Sequence, residues 1–318
     1  MTSTHRLSVL AAAALLAGCA SVSPDGLRSD VASLTAGRTA GVAQAALPAM
    51  DPSARAKAQQ SIDGWLAQPL TQDAAVRIGL LNNPGLQARL AALGVADAER
   101  VQAISLPNPH LTLGRFTNSQ EREIERTLAF GLMDPWRTQR EAERLQIATL
   151  QAAQDVVQLA ADTRRAWLRA VAAEQVAATH DRMAEAAEVG AELARRMAQV
   201  GNWSRLQQAR EQAVLHEANS QRARARLAAA TAREDLNRRL GVWGAQAQYQ
   251  LAPQLPPLPA TALPADGIEA TALRERLDVQ AARRQLDTQA TRQGWSRASA
   301  VFGDIGLAYS RNTATERA

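Results

Sequence analysis

The chain has 318 residues, more than one compact domain usually holds, and a net charge of +5. Hydrophobic residues make up 46%, yet much of that share is alanine and aromatics reach only 3%, too little bulk for a conventional globular core. Basic residues are nearly all arginine, with Lys57 the only lysine; Arg222, Arg224 and Arg226 alternate with alanines, and glutamates share their helices. Such a pattern describes a solvated helix face and excludes a nucleic-acid surface, which groups its basic residues and adds stacking aromatics.

His5 and Arg6 precede an apolar run from Leu7 to Ala17, which leads into Leu16-Ala17-Gly18-Cys19. A short basic start, about ten apolar residues and small residues before a cut site describe a secretory signal over 1–18. The run is too short to stay in a bilayer as a helix, which needs about 20 residues. Leu-Ala-Gly-Cys resembles the lipobox of bacterial lipoproteins. That resemblance implies an acylated Cys19 and, with Ala20 following it, sorting to the outer membrane. Cys19 is the only cysteine, so no disulfide framework or thiolate metal cluster can form. Residues 19–68 are rich in small residues with weak periodicity and read as a mostly extended, lipidated tether with one or two short helical turns.

A helix starts after Thr71, which can cap it, with Asp73 placed against the positive end of its dipole. It runs to about Ser105, is interrupted near Asn82-Asn83-Pro84, and stops at Leu106-Pro107-Asn108-Pro109. Two strands follow, joined by the polar turn Asn118-Ser119-Gln120-Glu121. In the second, Ile124, Leu128, Phe130 and Leu132 share one face, with Arg126 interrupting it; Glu123, Glu125, Thr127, Ala129 and Gly131 share the other. Alternation over about ten residues suits a transmembrane strand pair, although a soluble hairpin shows the same pattern. Phe130 and Trp136 flank the strand end and suit an interfacial aromatic belt.

Asp134-Pro135 reads as an N-cap followed by proline at the first helical position. No stop signal then appears until Gly201-Asn202, about 66 residues or about 100 Å of helix. Ser204 to Gln207 form a capping box, and a return helix ends at Leu240 with Gly241 as its stop. One heptad series in the long helix is Thr149, Val156, Thr163, Ala170, Ala177, Ala184, Ala191 and Ala198. A second is Leu145, Ala152, Leu159, Ala166, Ala173, His180, Ala187 and Ala194. The return helix carries Leu206, Ala209, Ala213, His216, Ser220, Ala223, Leu227 and Ala230 at matching spacing. If the chain doubles back at Gly201, facing residues have numbers that add to 404 in one series, as Ala191 with Ala213, and 403 in the other, as Ala187 with His216. The expectation is an antiparallel coiled coil with an alanine-rich seam. His180 and His216 are then seam residues; no converging Cys, Asp or Glu makes them metal ligands.

Pro253 to Pro264 read as an extended spacer within a linker at 246–267. Beyond it, Leu277-Asp278-Val279-Gln280-Ala281-Ala282-Arg283 echoes the segment that starts at Pro84, and Ile305 to Tyr309 echo Leu111 to Arg115. The offset is 193 or 194 residues, which marks a second repeat that begins at 268.

Taken in order, Pro69-Leu70-Thr71, Asn82-Asn83-Pro84, Leu106-Pro107-Asn108-Pro109, the strand pair, the long helix and the glycine turn resemble the TolC-like outer membrane efflux family, in its lipoprotein branch. The resemblance covers about residues 69–311. It implies a mainly α fold of long antiparallel helical hairpins with a short transmembrane β-hairpin contributing to a trimeric β-barrel. A first repeat spans 69–245, and a second, over 268–318, breaks off after one helix and one strand. The expected role is an outer-membrane channel subunit, a passive conduit fed by a periplasmic adaptor and an inner-membrane pump. Gln199, Gly201, Asn202 and Trp203 then form the adaptor-facing tip. No cofactor is implied beyond the lipid on Cys19.

Because the second repeat breaks off, the sequence is either a piece of a longer chain or a truncated product, and a non-conducting structural lipoprotein is the first rival. A periplasmic adaptor lipoprotein is the second, though it needs flanking β domains that the sequence does not offer. No catalytic constellation can be assembled from the scattered His110, His180 and His216, so an enzyme is not expected.

Overall fold

The structure, a computed structural model, describes residues 21–39, 42, 46–105, 110–117, 121–131, 135–258, 260–261, 266–302 and 306–316. For the described residues within 110–137 and 291–316 it describes the backbone. In chain order the elements are α1 (Arg28–Thr35), α2 (Pro52–Leu66), α3 (Gln72–Asn82), α4 (Pro84–Ile104), β1 (His110–Thr117), β2 (Glu121–Gly131), α5 (Pro135–Gln199), α6 (Arg205–Leu240), α7 (Ile268–Glu275), α8 (Leu277–Phe302) and β3 (Gly306–Glu316). A short 3₁₀ turn covers Gly244–Gln248. The fold is mainly α, and α5 alone runs for 65 residues.

Helix ends follow local chemistry. The Thr71 hydroxyl accepts the Ala74 N–H and opens α3. Asp51 accepts the Ala54 N–H with Pro52 beside it, opening α2. Ser204 and Gln207 form the reciprocal capping box of α6, and Gly241, at φ 69°, closes it in the left-handed region.

The break between α3 and α4 does more than interrupt a helix. Asn82 Nδ2 donates to the Leu240 and Gly241 carbonyls at 3.1 and 2.8 Å. Asn83 Nδ2 donates to the Arg238 and Arg239 carbonyls at 3.2 and 3.0 Å. Four carbonyls at the end of α6, which have no partner inside the helix, are thereby satisfied. A like interruption falls at Arg276, between α7 and α8, which is 193 residues beyond Asn83.

The chain divides into two units. The first is Arg28–Leu90 with Ala152–Ile268. Its bulky core gathers Ile62, Leu70, Ile78, Trp167, Val171, Leu236, Leu240, Val242, Tyr249 and Leu251. Trp167 Nε1 donates to the Leu70 carbonyl at 2.9 Å, and the Leu70 N–H donates to the Gln250 carbonyl at 2.8 Å, so the indole is both buried and satisfied. Away from this knot the helices pack through small residues. A Cβ on Gly79 would stand 3.0 Å from Thr163 Oγ1 and 3.3 Å from the Arg239 carbonyl, which shows how closely α3 approaches α5 and α6.

Two expectations change here. Over its described part the segment 19–68 holds more helix than the one or two short turns expected: α1 and α2 form, and Val31, Thr35, Thr39, Val42 and Ile62 are buried. Single bulky residues spaced among Ala, Gly and Ser carry little periodic signal, yet each fills a place. The linker at 246–267 likewise begins inside the core, through Tyr249 and Leu251. Over 253–258 its backbone is free of regular structure.

The second unit comprises the described parts of Met1–Leu27, Ala91–Gln151 and Glu269–Ala318. In it Asp97, almost wholly buried, accepts the Ser23 N–H at 2.7 Å and pairs with Arg100 at 2.8 Å. The N-terminal residues are thus fastened to α4. Its sheet has the order β1-β2-β3, antiparallel throughout. In register, Leu111 lies opposite Leu128 and Leu128 opposite Tyr309. Among the described residues no helix is long and apolar enough to cross a membrane.

Candidate functional site

The long hairpin of α5 and α6 presents the turn at Gly201. Ion pairs fix its register: Asp181 with Arg226 at 2.8 Å, Glu174 with Arg233 at 2.8 Å, and Asp162 with Arg239 at 3.1 Å. The numbers of these pairs add to 407, 407 and 401, bracketing the sums of 403 and 404 read from the heptads. On α5 the seam is the first heptad series: Thr149, Val156, Thr163, Ala170, Ala177, Ala184 and Ala191 are all buried.

On α6 the seam lies on the other face. Leu206 is 62% and Leu227 69% exposed, and Ala209, Ala213, His216, Ala223 and Ala230 are exposed with them. The inward strip runs two residues later, through half-buried Leu215, Arg222, Ala229 and Ala232 and buried Ala225 and Leu236. Two residues turn a helix by about 200°, which exchanges its faces. The cause sits at the far end of α6. Leu236 and Leu240 are anchored in the bulky core, and that anchor sets the rotation of the whole helix. His216 is accordingly exposed, while His180 on α5 is half-buried.

At the tip, Asn202 and Trp203 N–H groups both donate to the Met197 carbonyl, at 2.9 and 3.2 Å, and Gly201 takes φ 80°. This arrangement satisfies the last carbonyls of α5 and reverses the chain. Gln199, Gly201 and Asn202 are exposed and Trp203 is half-buried. Along the last turns of α5 and the first of α6 lie exposed apolar residues: Val189 and Val200, each 71% exposed, Leu193 and Val214, which sequence reasoning did not single out, and Leu206, which it placed in the seam. Their signal was available, since α5 and α6 each carry a second apolar strip that a two-helix seam cannot use. Between the helices is an open groove lined by Glu188, Ala191, Glu192, Arg196, Gln212 and Leu215. Hydrogen bonds from Arg195 and then Arg196 hold the Glu192 carboxyl down to about 2, so it is charged at any physiological pH.

Among the described residues no group of three His, Cys, Asp or Glu side chains could hold a metal ion. Cys19 lies outside the described residues. Phe130 is placed in β2, in register with Leu307, and Trp136 in the first turn of α5; for both, the backbone is what the structure describes.

No protein-family model matches the chain and no curated protein matches it. Solved structures do. CusC, a transmembrane channel, superposes with a TM-score of 0.63 at 16% identity over 78% of this chain and 60% of its own. A membrane protein from Pseudomonas aeruginosa gives 0.62 at 18% identity, over 78% and 67%. The CmeC outer membrane channel of Campylobacter jejuni gives 0.62 at 14% identity, over 78% and 61%. This chain therefore spans about 60–67% of the length of these three proteins. Over that span, it shares the TolC-like fold of CusC and CmeC.

Proposed function

We propose that the chain is a subunit of an outer-membrane efflux channel, a passive conduit in which no bond is made or broken. One observation carries this reading. The α5–α6 hairpin leaves Val176, Met183, Val189 and Leu193 on one helix and Leu206, Val214 and Leu227 on the other exposed, and among the described residues the outer edges of β1 and β3 have no strand partner. Apolar strips of this length and unpaired strand edges are features of a part that is completed by neighbours. A ring of copies, taken as three, covers the helix strips with further helices and closes the strands into a membrane barrel.

In this reading Cys19 carries the lipid that anchors the chain to the outer membrane. Phe130 and Trp136 sit at the membrane boundary. Gln199, Gly201, Asn202 and Trp203, with the apolar residues beside them, meet a periplasmic adaptor that links the channel to an inner-membrane pump. A structural outer-membrane lipoprotein that does not conduct is the second reading. An odd total favours it: the three strands among the described residues, taken three times, make about nine, and an all-antiparallel sheet closes on itself with an even number.

Conduction separates the two. The purified full chain, sized in detergent and added to planar bilayers, is expected to form a trimer that gives stepwise conductance. A folded trimer that leaves the bilayer silent would overturn the conduit and leave the structural reading. Loss of labelled palmitate incorporation in Cys19→Ser checks the anchor independently.

A further inference from the structure

The strand register sorts the charges of the sheet onto opposite faces. Residues two apart on a strand share a face, and directly opposed residues share it too. Arg126 lies opposite Leu113 on one side and Arg311 on the other. Arg115 lies opposite Ile124, and Arg122 opposite Thr117 and Thr315. All four arginines of the sheet therefore occupy one face. Glu121 and Glu316 are opposed, and they share the other face with Glu123 and Glu125.

This sorting has a cost that something outside the sheet must offset. Arg126 and Arg311 are directly opposed, and Arg115 is diagonal to both Arg122 and Arg126. Directly opposed positions stand about 5 Å apart and diagonal ones about 7–8 Å, where like charges destabilise a sheet. The strands place no acidic residue on that face. It also carries Leu111, Leu113, Leu128, Phe130, Leu307 and Tyr309, all but Leu113 toward the ends of the strands that adjoin α4 and α5. The arginines cluster toward the β1–β2 turn. One face thus passes from apolar to cationic along its length, in the order hydrocarbon then headgroup.

We infer that this arginine cluster is a binding site for the phosphate groups of anionic lipid in the outer leaflet, resting on the membrane-barrel reading above. Phosphates are doubly suited: each accepts bidentate hydrogen bonds from a guanidinium, and each bridges two arginines that otherwise repel.

The test uses the purified full chain with vesicles of phosphatidylcholine, alone or containing a diphosphorylated glycolipid. The chain is expected to float with both kinds and to bind those with the glycolipid more tightly. In R126Q/R311Q that preference is expected to fall roughly twenty-fivefold, at about fivefold for each arginine near a charged membrane surface. E123Q/E125Q, on the opposite face, is expected to keep the preference. Should R126Q/R311Q fail to insert, R115Q/R122Q carries the same expectation. The inference is overturned if the arginine variants keep the preference, if the glutamate variant loses as much, or if millimolar inorganic phosphate abolishes it. A wild-type chain that floats with neither kind of vesicle would instead overturn the membrane reading itself.

Discussion

Asn83 joins two helices by one amide: its Nδ2 donates to the Arg239 carbonyl at 3.0 Å while its Oδ1 accepts the Leu86 N–H at 3.0 Å. The same side chain thus ends α6 and begins α4. The two halves can be separated by substitution. Asn83→Ala loses both and is expected to cost about 1–2 kcal/mol, the range for a lost N-cap and its neighbouring bonds. Asn83→Asp keeps a good N-cap but turns a carboxylate toward the negative end of α6, so it should be at least as unstable as the alanine variant. Thermal melts in detergent read the difference as a few degrees. An aspartate variant as stable as the wild type would show that the C-terminal cap contributes nothing.

Two glycines with left-handed backbone make a controlled comparison. Gly201 has φ 80° and open space where a Cβ would go, while Gly241 has φ 69° and would set its Cβ 2.6 Å from the Asn82 carbonyl oxygen. Gly201→Ala is expected to lose only the left-handed penalty, about 1–2 kcal/mol. Gly241→Ala adds a collision with backbone that cannot swing away, and it should displace the joint just described. Denaturant midpoints should rank Gly241→Ala clearly below Gly201→Ala. Equal losses would mean that the joint yields without cost.

What the sequence disclosed, and what it hid, follows from how each feature is encoded. The α5 seam was legible because Thr149 through Ala191 repeat every seven residues on a helix long enough for the period to be unambiguous. The stops at Asn83, Gly201 and Gly241 were legible because their chemistry is local. The face of α6 was not. Leu206, Ala213 and Leu227 repeat as regularly as Leu215, Ala229 and Leu236, and a period cannot say which strip turns inward. That choice is made by Leu236 and Leu240 in a core whose other members come from α2, α3, α5 and the segment at Tyr249. The same non-local packing orders Val31, Thr35 and Ile62 in a stretch that reads as a tether. At the tip, Gly201 and Asn202 announce a turn, whereas Val189, Leu193 and Val214 matter only once their exposure is known.

Thr163 presents an unfilled polar demand. It is fully buried against Gly79, and its Oγ1 has no hydrogen-bond partner among the described residues. A buried hydroxyl without a partner costs about 1–3 kcal/mol. Thr163→Val removes that demand and keeps the shape, so it is expected to raise stability by about 1 kcal/mol. Thr163→Ser keeps the hydroxyl and loses a methyl group, and should fall below the wild type. The order valine, threonine, serine in melting temperature is the check, and a valine variant no more stable than wild type would place an unseen partner on the hydroxyl.

Tyr249 gives the fold an alkaline limit. Its hydroxyl donates to Asn237 Oδ1 at 2.8 Å, and its ring lies 4.7 Å from the Arg233 guanidinium. Burial pushes the phenol well above its usual value of 10.0; Arg233 pulls it back, and Glu174 and Glu234 push it further up. The folded chain therefore keeps this proton where the unfolded chain, near pH 10, gives it up. Because the folded state then binds more protons, stability is fully present below about pH 10 and declines as pH rises beyond it. Tyr249→Phe should cost about 1–2 kcal/mol at neutral pH, since Asn237 Oδ1 loses its donor in a buried place. Above pH 10 phenylalanine has nothing to ionise in either state. The variant's curve should therefore flatten and approach that of the wild type, whose second tyrosine, Tyr309, is common to both. Urea midpoints measured from pH 7 to about 11 decide the matter: two parallel curves would mean that this phenol ionises as readily inside the fold as outside it.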